Sequence, residues 1–282
     1  MKAIILNLTA WSVLPIMDGM AKYLSSDMHF LQVVWGRYFF MTLISLPLTY
    51  IFFKQHFVKP KNISIQFLRS IFLFLSTVFF FYAISIISMA KALALAFVSP
   101  LIVTLLSSLL LKEKVGVHRW SAVFIGFIGA LIIIQPGFLK INLATLAGLG
   151  TGIAYAFYII STRKLSSIDN PFLTLIFTGL FGAIIISLIV PFFWVTPNLN
   201  QWLLMIGLAA VGTFGHFCLI MSLNLAEASK LSPLTYFEII NNILIGYFFF
   251  GDFPNKWLWI GLFFIISSGI YISVRENKKT SK

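Results

Sequence analysis

The sequence is poor in charged residues, and acidic ones are the scarcest. Only 10% of its 282 residues are charged, and Asp and Glu together number 8; an ordinary soluble domain carries roughly 25% charged residues. Hydrophobic residues make up 60% of the chain, with a mean hydropathy of +0.98. These values argue against a water-soluble enzyme.

Groups that carry enzymatic or metal chemistry are also scarce. A single cysteine, Cys218, excludes an intramolecular disulfide and a cysteine-based zinc site. The four histidines are dispersed, so no metal site is predicted, and neither a Ser-His-Asp arrangement nor a pair of catalytic carboxylates stands out. The glycine-rich run 148–152 lies within an apolar helix rather than after a strand, which indicates helix packing instead of a nucleotide loop. We therefore predict no enzymatic activity and no cofactor.

Long apolar runs dominate the chain. Because a membrane-spanning helix needs about 20 apolar residues, ten spans account for most of its length. Continuous runs without alternation favour helices over the strands of a barrel. Pro15, Pro100 and Pro233 fall within or near the starts of spans and predict kinks there. The predicted spans are residues 3–24, 30–53, 66–87, 91–111, 119–135, 143–162, 171–193, 202–223, 231–250 and 257–274.

Basic residues exceed acidic ones by 20 to 8, which gives a net charge of +12. In a soluble protein this balance would indicate a nucleic-acid partner. Placed on the ten spans, however, fifteen of the basic residues, Arg69 included, fall on the side of the N-terminus. Basic loops face the cytoplasm. We therefore predict a multi-pass membrane protein with both termini in the cytoplasm, the lipid bilayer as its surroundings and no nucleic-acid partner.

The two halves of the sequence resemble each other. Residues 21–26 match residues 162–167, half the chain length later, and Lys91 and Glu113 align with Lys230 and Asp252 at nearly the same separation. Because five spans is an odd number, the second half must enter the membrane upside down relative to the first. The predicted fold is therefore an all-α integral membrane protein with ten transmembrane helices in two inverted five-helix repeats. The repeats comprise residues 3–137 and 143–275, followed by a basic cytoplasmic tail at 276–282.

The order of these motifs resembles the drug/metabolite transporter superfamily, in the ten-helix branch built from two EamA-type repeats. The resemblance covers nearly the whole chain and is carried by residues 11–22, 35–39 (Trp-Gly-Arg-Tyr-Phe), 100–114 and 237–252. Residues 8–40, which contain Ala-Trp-Ser, Pro-Ile-Met-Asp-Gly and Val-Val-Trp-Gly-Arg-Tyr, are also similar to the S-adenosylmethionine uptake transporters of rickettsial bacteria.

This resemblance implies a secondary transporter that imports S-adenosylmethionine across the inner membrane. Two structurally similar halves around a central site suit alternating access, and exchange for a related adenosyl compound is one mode of transport. An exporter of amino acids or related metabolites with the same fold is the alternative. In both cases the expected partner is a small-molecule substrate.

Ionisable groups inside apolar spans cost several kcal/mol unless they are paired or hydrated, so the few present are candidate substrate-binding residues. Asp18 and Glu238 are candidates for binding positive charge, with Lys22 as an alternative helical partner of Asp18. Arg37 is a candidate for clamping a substrate carboxylate. The structural alternative is that Arg37 forms a salt bridge with Asp18 or Glu238.

Amides and aromatic rings complete the predicted site. Asn241 and Asn242 share a helix face with Glu238, where they could hydrogen-bond an adenine edge or ribose, or hold helices together. Aromatic rings away from most span ends could stack on adenine or contact a sulfonium by cation–π attraction, and core packing is the alternative for each. These rings belong to Trp11, Trp35, Tyr82, Tyr155, Tyr158 and Tyr236.

Overall fold

Helix formation follows the apolar runs of the sequence. A computed structural model describes residues 1–52, 60–134, 142–166, 168–251, 256–257, 259–261, 263–264, 266–268 and 270–271. Within these ranges every regular element is helical, which confirms the all-α prediction. Asp252 and the predicted tail at 276–282 lie outside the described residues.

Eleven α-helices are described up to residue 250, and helical residues recur in the described parts of 256–271. Two 3-10 segments, Val190–Phe193 and Ser232–Phe237, interrupt them. The helices are α1 (Lys2–Leu24), α2 (Phe30–Phe52), α3 (Ile63–Ile86), α4 (Met89–Ala96), α5 (Val98–Leu110), α6 (Val117–Ile134), α7 (Leu143–Leu165), α8 (Pro171–Ile189), α9 (Leu199–Leu225), α10 (Ala228–Leu231) and α11 (Glu238–Phe250).

Among the described residues, six segments are long and apolar enough to cross a membrane. They are Lys2–Leu24, Ile63–Ile86, Met89–Leu110, Leu143–Leu165, Pro171–Phe193 and Leu199–Leu225. The other four predicted spans fall on α2, on α6, on the segment from α10 to α11, and on residues 257–274. The multi-span character is therefore observed, and the count of ten stays a prediction.

Asparagine side chains fix several helix starts. Asn142 and Asn198 form capping boxes with Thr145 and Gln201, and Asn62 accepts a hydrogen bond from the third residue of α3. An Asn side chain satisfies backbone N–H groups that have no partner within the helix. These caps set where the chain leaves a loop and enters the next helix.

The most extensive helix contacts join the two halves of the chain. α1 packs against α9, α3 against α7, and α2 against α8. If each helix is replaced by its counterpart in the other half, the α1–α9 pair becomes α7–α3 and the α2–α8 pair is unchanged. The pattern of helix contacts is therefore the same when the two halves are exchanged, and the core lies between the halves.

Two glycines allow α7 to approach the junction of α4 and α5. A Cβ on Gly152 would lie 2.4 Å from the carbonyl oxygen of Ala96, and one on Gly148 would lie 2.9 Å from the Leu95 side chain. The first distance is a clash with the backbone that excludes any larger residue at 152, whereas a larger residue at 148 would require the Leu95 side chain to shift. The glycine run is therefore a helix-packing surface, as its context predicts.

Candidate functional site

A cavity of about 80 Å³ lies in the core between the two halves. This volume is below the roughly 300–1,000 Å³ that is typical of small-molecule sites, so its walls would have to move apart to admit a small molecule. Helices from both halves contribute to its walls. The lining residues are Trp11, Leu14, Met17, Asp18, Arg37, Leu73, Ser76, Thr77, Phe80, Leu93, Ala96, Phe97, Ser99, Thr151, Tyr155, His216, Thr235 and Glu238.

Two helix interruptions form one side of this cavity. α4 ends at Ala96 and α5 begins at Val98, while in the second half a 3-10 segment precedes α11, which begins at Glu238. The alignment of Lys91 with Lys230 places Phe97 opposite Tyr236, and these two rings are in edge contact at 5.0 Å. Backbone irregularity at membrane depth is tolerated where it is buried in protein or lines a cavity. The matching interruptions therefore form a shared wall.

Three charged side chains line the cavity. Asp18 of α1 is 3% exposed, Arg37 of α2 is 4% exposed and Glu238 of α11 is 7% exposed. The helix dipole at the start of α11 favours a carboxylate at Glu238. Among the described residues, neither carboxylate lies within 4.0 Å of a basic nitrogen. The structure thus brings these three predicted residues together without a salt bridge between them.

Arg37 is held by neutral groups. Its Nη1 donates to Thr77 Oγ1 at 2.7 Å, and its Nη2 lies 2.7 Å from His216 Nε2. The guanidinium also stands over the Tyr38 ring at 5.3 Å. Its Nε is buried, and the Nε–H group of the guanidinium has no protein partner among the described residues.

Arg69, which the count of basic residues placed on the side of the N-terminus, is fully buried in α3. Its Nε donates to Thr162 Oγ1 at 2.7 Å, its Nη1 to the Thr174 carbonyl at 3.1 Å and to Thr178 Oγ1, and its Nη2 to Tyr158 OH at 3.2 Å. These partners belong to α7 and α8, far away in sequence, so the count of basic residues could not show them.

Two of the predicted aromatic residues line the cavity. Trp11 and Tyr155 are in edge contact at 6.1 Å, and Trp11 Nε1 donates to Asn7 Oδ1 at 2.8 Å. Asn7 in turn donates to Ser222, which fixes the indole between α1 and α9. The Tyr155 hydroxyl is buried and has no partner among the described residues. This ring pair is an apolar surface with one free hydroxyl.

Four further predicted residues lie outside the lining but touch groups beside it. Tyr158 stands behind His216, with its hydroxyl 3.2 Å from the ring Nδ1. Asn242 donates to the Glu238 carbonyl, and Asn241 donates to the Trp11 carbonyl at 3.5 Å. Tyr236 donates to the Val123 carbonyl and packs on Phe97. Their observed contacts are with protein.

Trp35 and Tyr82 lie farther from the charged groups. Trp35 stacks on Phe39 and donates to Ser187, and its ring meets Trp194 edge-on at 5.2 Å. Tyr82 packs against Phe30 at 5.3 Å. Neither residue lines the cavity.

The sequence prediction missed His216, which lines the cavity on α9 and is 2% exposed. The signal was present, since a titratable side chain inside an apolar span is a candidate site residue by the rule that selected Asp18. Judged only as a metal ligand, it was set aside. Small hydroxyl residues of the lining were missed as well, because such residues are common in membrane helices: Ser76, Thr77, Ser99, Thr151 and Thr235.

Sequence relatives of this chain are named as transporters. An S-adenosylmethionine uptake transporter of Rickettsia prowazekii is 25% identical over 98% of this chain and 95% of its own length. A riboflavin transporter of Vibrio cholerae is 34% identical over 68% of this chain and 65% of its own length. The pseudopaline exporter CntI of Pseudomonas aeruginosa is 24% identical over 96% of this chain and 95% of its own.

A solved structure described as "Crystal structure of protein" superposes with a TM-score of 0.78 at 16% identity, over 98% of both chains. It shows a shared fold. The family model described as "EamA-like transporter family" matches residues 1–135 and 142–274. These matches confirm the resemblance read from the sequence, and they agree with a transporter rather than an enzyme. The chain belongs to the EamA-like transporter family and is a multi-pass membrane protein.

Proposed function

We propose that this protein is a secondary transporter that imports S-adenosylmethionine across the bacterial inner membrane by alternating access. The cavity between the two halves is the proposed binding site, and exchange for a related adenosyl compound is one mode of transport. The proposal extends the name of the rickettsial relatives to this chain and is supported by the charges of the cavity.

The main support for the proposal is that the charged groups of the cavity are complementary to those of S-adenosylmethionine. S-adenosylmethionine has two cationic centres, a sulfonium and an ammonium, and one carboxylate. The cavity offers two buried carboxylates, Asp18 and Glu238, and one guanidinium, Arg37. A buried charge is stable only when it is paired. A substrate with two positive charges and one negative charge would pair all three charged groups of the cavity. We assign the cationic centres to the carboxylates and the substrate carboxylate to Arg37.

The remaining predicted residues receive narrower roles. Trp11 and Tyr155 present an aromatic surface beside the charged groups, which suits the adenine ring through stacking. Asn241, Asn242, Tyr158 and Tyr236 support the walls of the cavity through their protein contacts. No substrate contact is proposed for Trp35 and Tyr82.

The transport mechanism rests on the proposed inverted repeat. The exchange relation among α1–α9, α3–α7 and α2–α8 supports two halves related by an internal two-fold axis. The basic residues still collect on the side of the N-terminus when Arg69 is removed from that count, which supports cytoplasmic termini. Such halves can rock about a central site so that it opens to one side and then to the other.

An exporter of amino acids or related metabolites is the second candidate. The match to the pseudopaline exporter over nearly the full chain favours it, and an amino acid would also use a guanidinium and a carboxylate. The second buried carboxylate argues for a substrate with an additional cationic centre. Riboflavin has no such centre, so the cavity charges do not favour it.

The test is uptake of labelled S-adenosylmethionine by proteoliposomes that contain the purified protein, with empty liposomes as the background. We expect saturable uptake that unlabelled S-adenosylhomocysteine blocks and that methionine and riboflavin do not. No uptake, with or without internal S-adenosylhomocysteine, would refute the proposal. Inhibition of uptake by methionine would indicate a carrier of amino acids instead.

A matched pair of variants connects this uptake to the cavity. Glu238→Gln preserves volume and removes a buried charge, so substrate affinity should fall by about tenfold or more. Glu227→Gln removes a surface carboxylate that pairs with Arg119 and is 43% exposed, so uptake should be little changed. Equal uptake by both variants would remove Glu238 from the proposed site.

A further inference from the structure

His216 is a buried ionisable side chain that the proposed function leaves unused. It lies on α9, lines the cavity and has a residue on either side of its ring. Nε2 lies 2.7 Å from Arg37 Nη2, and Nδ1 lies 3.2 Å from Tyr158 OH. The ring therefore connects α2 with α7 through its two nitrogens.

These contacts define the tautomer of the ring. A guanidinium has only hydrogen-bond donors, so Nε2 must be the acceptor and carries no proton. A neutral imidazole then has its proton on Nδ1, which donates to the Tyr158 hydroxyl oxygen. The hydrogen bonds of this assembly reach two charged groups, Arg37 and Arg69, and both are cations. Asp18 and Glu238 line the same cavity, but among the described residues neither has a hydrogen bond to the ring. A protonated ring would lose its bond to Arg37 and add a third positive charge.

Tyr158 is itself fixed from behind. Its hydroxyl accepts from Arg69 Nη2, and the Arg69 guanidinium stands over the tyrosine ring at 4.7 Å. Arg69 also donates to three groups on α7 and α8. A chain of contacts thus runs from α3 through Tyr158 and His216 to Arg37. The acceptor at Nε2 is held in one place before any substrate arrives.

These contacts fix the orientation of the Arg37 guanidinium. Thr77 and His216 each occupy one terminal nitrogen of the guanidinium, and the buried Nε–H is left without a partner among the described residues. A planar guanidinium that is anchored at two points has a fixed plane, which fixes the direction of its remaining donors. A preorganised donor binds a carboxylate with a smaller entropic cost than a mobile one.

We infer that His216 is a positioning residue for carboxylate recognition: its neutral Nδ1–H tautomer holds the Arg37 guanidinium in the plane that receives the substrate carboxylate. The inference rests on the proposed function for the identity of the substrate. It adds a specificity determinant, because a cationic substrate without a carboxylate gains nothing from an oriented Arg37.

The first test compares two substrates in two variants. S-adenosylmethionine and its decarboxylated analogue compete with labelled S-adenosylmethionine for uptake, and the ratio of their inhibition constants measures carboxylate preference. Gln at 216 offers an acceptor for Arg37 and a donor for Tyr158, whereas Phe offers neither. We expect H216F to reduce the wild-type ratio by about tenfold, the value of one charge-assisted hydrogen bond, and H216Q to restore most of it.

His118→Phe is the matched control, because His118 is an exposed histidine on α6 that contacts Tyr271. It should leave the ratio at the wild-type value. If H216F keeps the wild-type ratio, with or without an equal loss of affinity for both compounds, the inference is overturned and His216 supports only the fold.

The second test needs no substrate and no folded variant at position 216. Nitrogen NMR of histidine-labelled wild-type protein in detergent reports which ring nitrogen carries the proton, and the His216 signal is the one that Arg37→Met shifts. We expect a neutral ring protonated at Nδ1 in the wild type and a shift towards Nε2–H in Arg37→Met. A wild-type ring protonated at Nε2 overturns the inference, whatever the protein transports. The Nδ1–H tautomer with no uptake of either compound refutes the proposed function alone.

Discussion

Two of the arginines that the structure describes, Arg37 and Arg69, are buried, and they differ in how many partners they have. Arg69 donates to four groups on α7 and α8, whereas Arg37 donates to Thr77 and His216 and keeps an unpartnered Nε. Arg69 lies away from the cavity and Arg37 lines it. Every nitrogen of the Arg69 guanidinium has a partner, and these bonds join α3 to α7 and α8. The Arg37 guanidinium keeps an Nε–H that, under our proposal, is available to a ligand.

The difference has an energetic meaning. A buried donor without a partner costs about 1–3 kcal/mol, so the fold loses free energy at Arg37 that a bound carboxylate can return. In Arg69, by contrast, every guanidinium nitrogen has at least one partner. A buried cation is therefore a better candidate binding residue when its protein partners are counted than when its burial alone is considered.

The largest expected effect is a difference in the free energy of unfolding between variants of the two arginines. Arg69→Met leaves four acceptors without their donor, and we expect the free energy of unfolding to fall by about 3 kcal/mol or more. Arg37→Met removes two hydrogen bonds together with an unsatisfied donor, so its loss should be about 1 kcal/mol. Thermal unfolding of the purified variants in detergent measures both. Equal losses would end the distinction between them.

The second effect separates the arginines by substrate affinity. In Arg37→Lys the ammonium cannot reach Thr77, His216 and a carboxylate together, and we expect a rise in KM of roughly tenfold to a hundredfold, or about 1.4–2.7 kcal/mol. Arg69→Lys, normalised to the folded fraction from size-exclusion chromatography, should keep a KM close to the wild-type value. A comparable rise in both variants would place Arg69 in the binding site as well.

A third change acts on both arginines at once. Tyr158→Phe removes the oxygen that accepts from Arg69 and lies beside His216. We expect a loss of about 1–2 kcal/mol in the free energy of unfolding, together with a smaller preference for substrates that carry a carboxylate. Unfolding and competition assays on the same preparation test this. A loss of stability with unchanged preference would separate the His216 contact from Arg37.

The smallest expected effect is a gain in stability rather than a loss. Tyr155→Phe removes a buried hydroxyl that has no partner among the described residues. The free energy of unfolding should therefore rise by up to about 1 kcal/mol. If the substrate uses this hydroxyl, affinity falls by a few-fold in the same variant. Lower stability would mean that the hydroxyl has a partner in the apo protein.

Much of the fold and part of the candidate site could be predicted from the sequence. Long apolar runs dictate helices, and the rule that buried charges are costly selected Asp18, Arg37 and Glu238, which meet in one cavity. The aromatic rings were harder to place. Spans that are apolar on all sides give no sign of which face meets the protein, so Trp35 and Trp11 looked equivalent although only Trp11 lines the cavity.

The partner count of the arginines could not be predicted. Arg37 contacts His216 from the other half of the chain, and all four acceptors of Arg69 come from α7 and α8. Such contacts follow from the packing of the two halves rather than from spacing along one helix. Sequence patterns report local periodicity, so they identify a buried charge without revealing its surroundings.

The interruptions beside the cavity also constrain how the protein enters the membrane. Neither α4, with 8 residues, nor α5, with 13, is long enough to cross a bilayer that requires about 20. The insertion machinery must therefore accept Met89–Leu110 as one continuous hydrophobic segment. Exposed to lipid, an open break would leave backbone groups unsatisfied. We therefore expect the interruption at Phe97 to form only once α7 and the second half have packed against this segment.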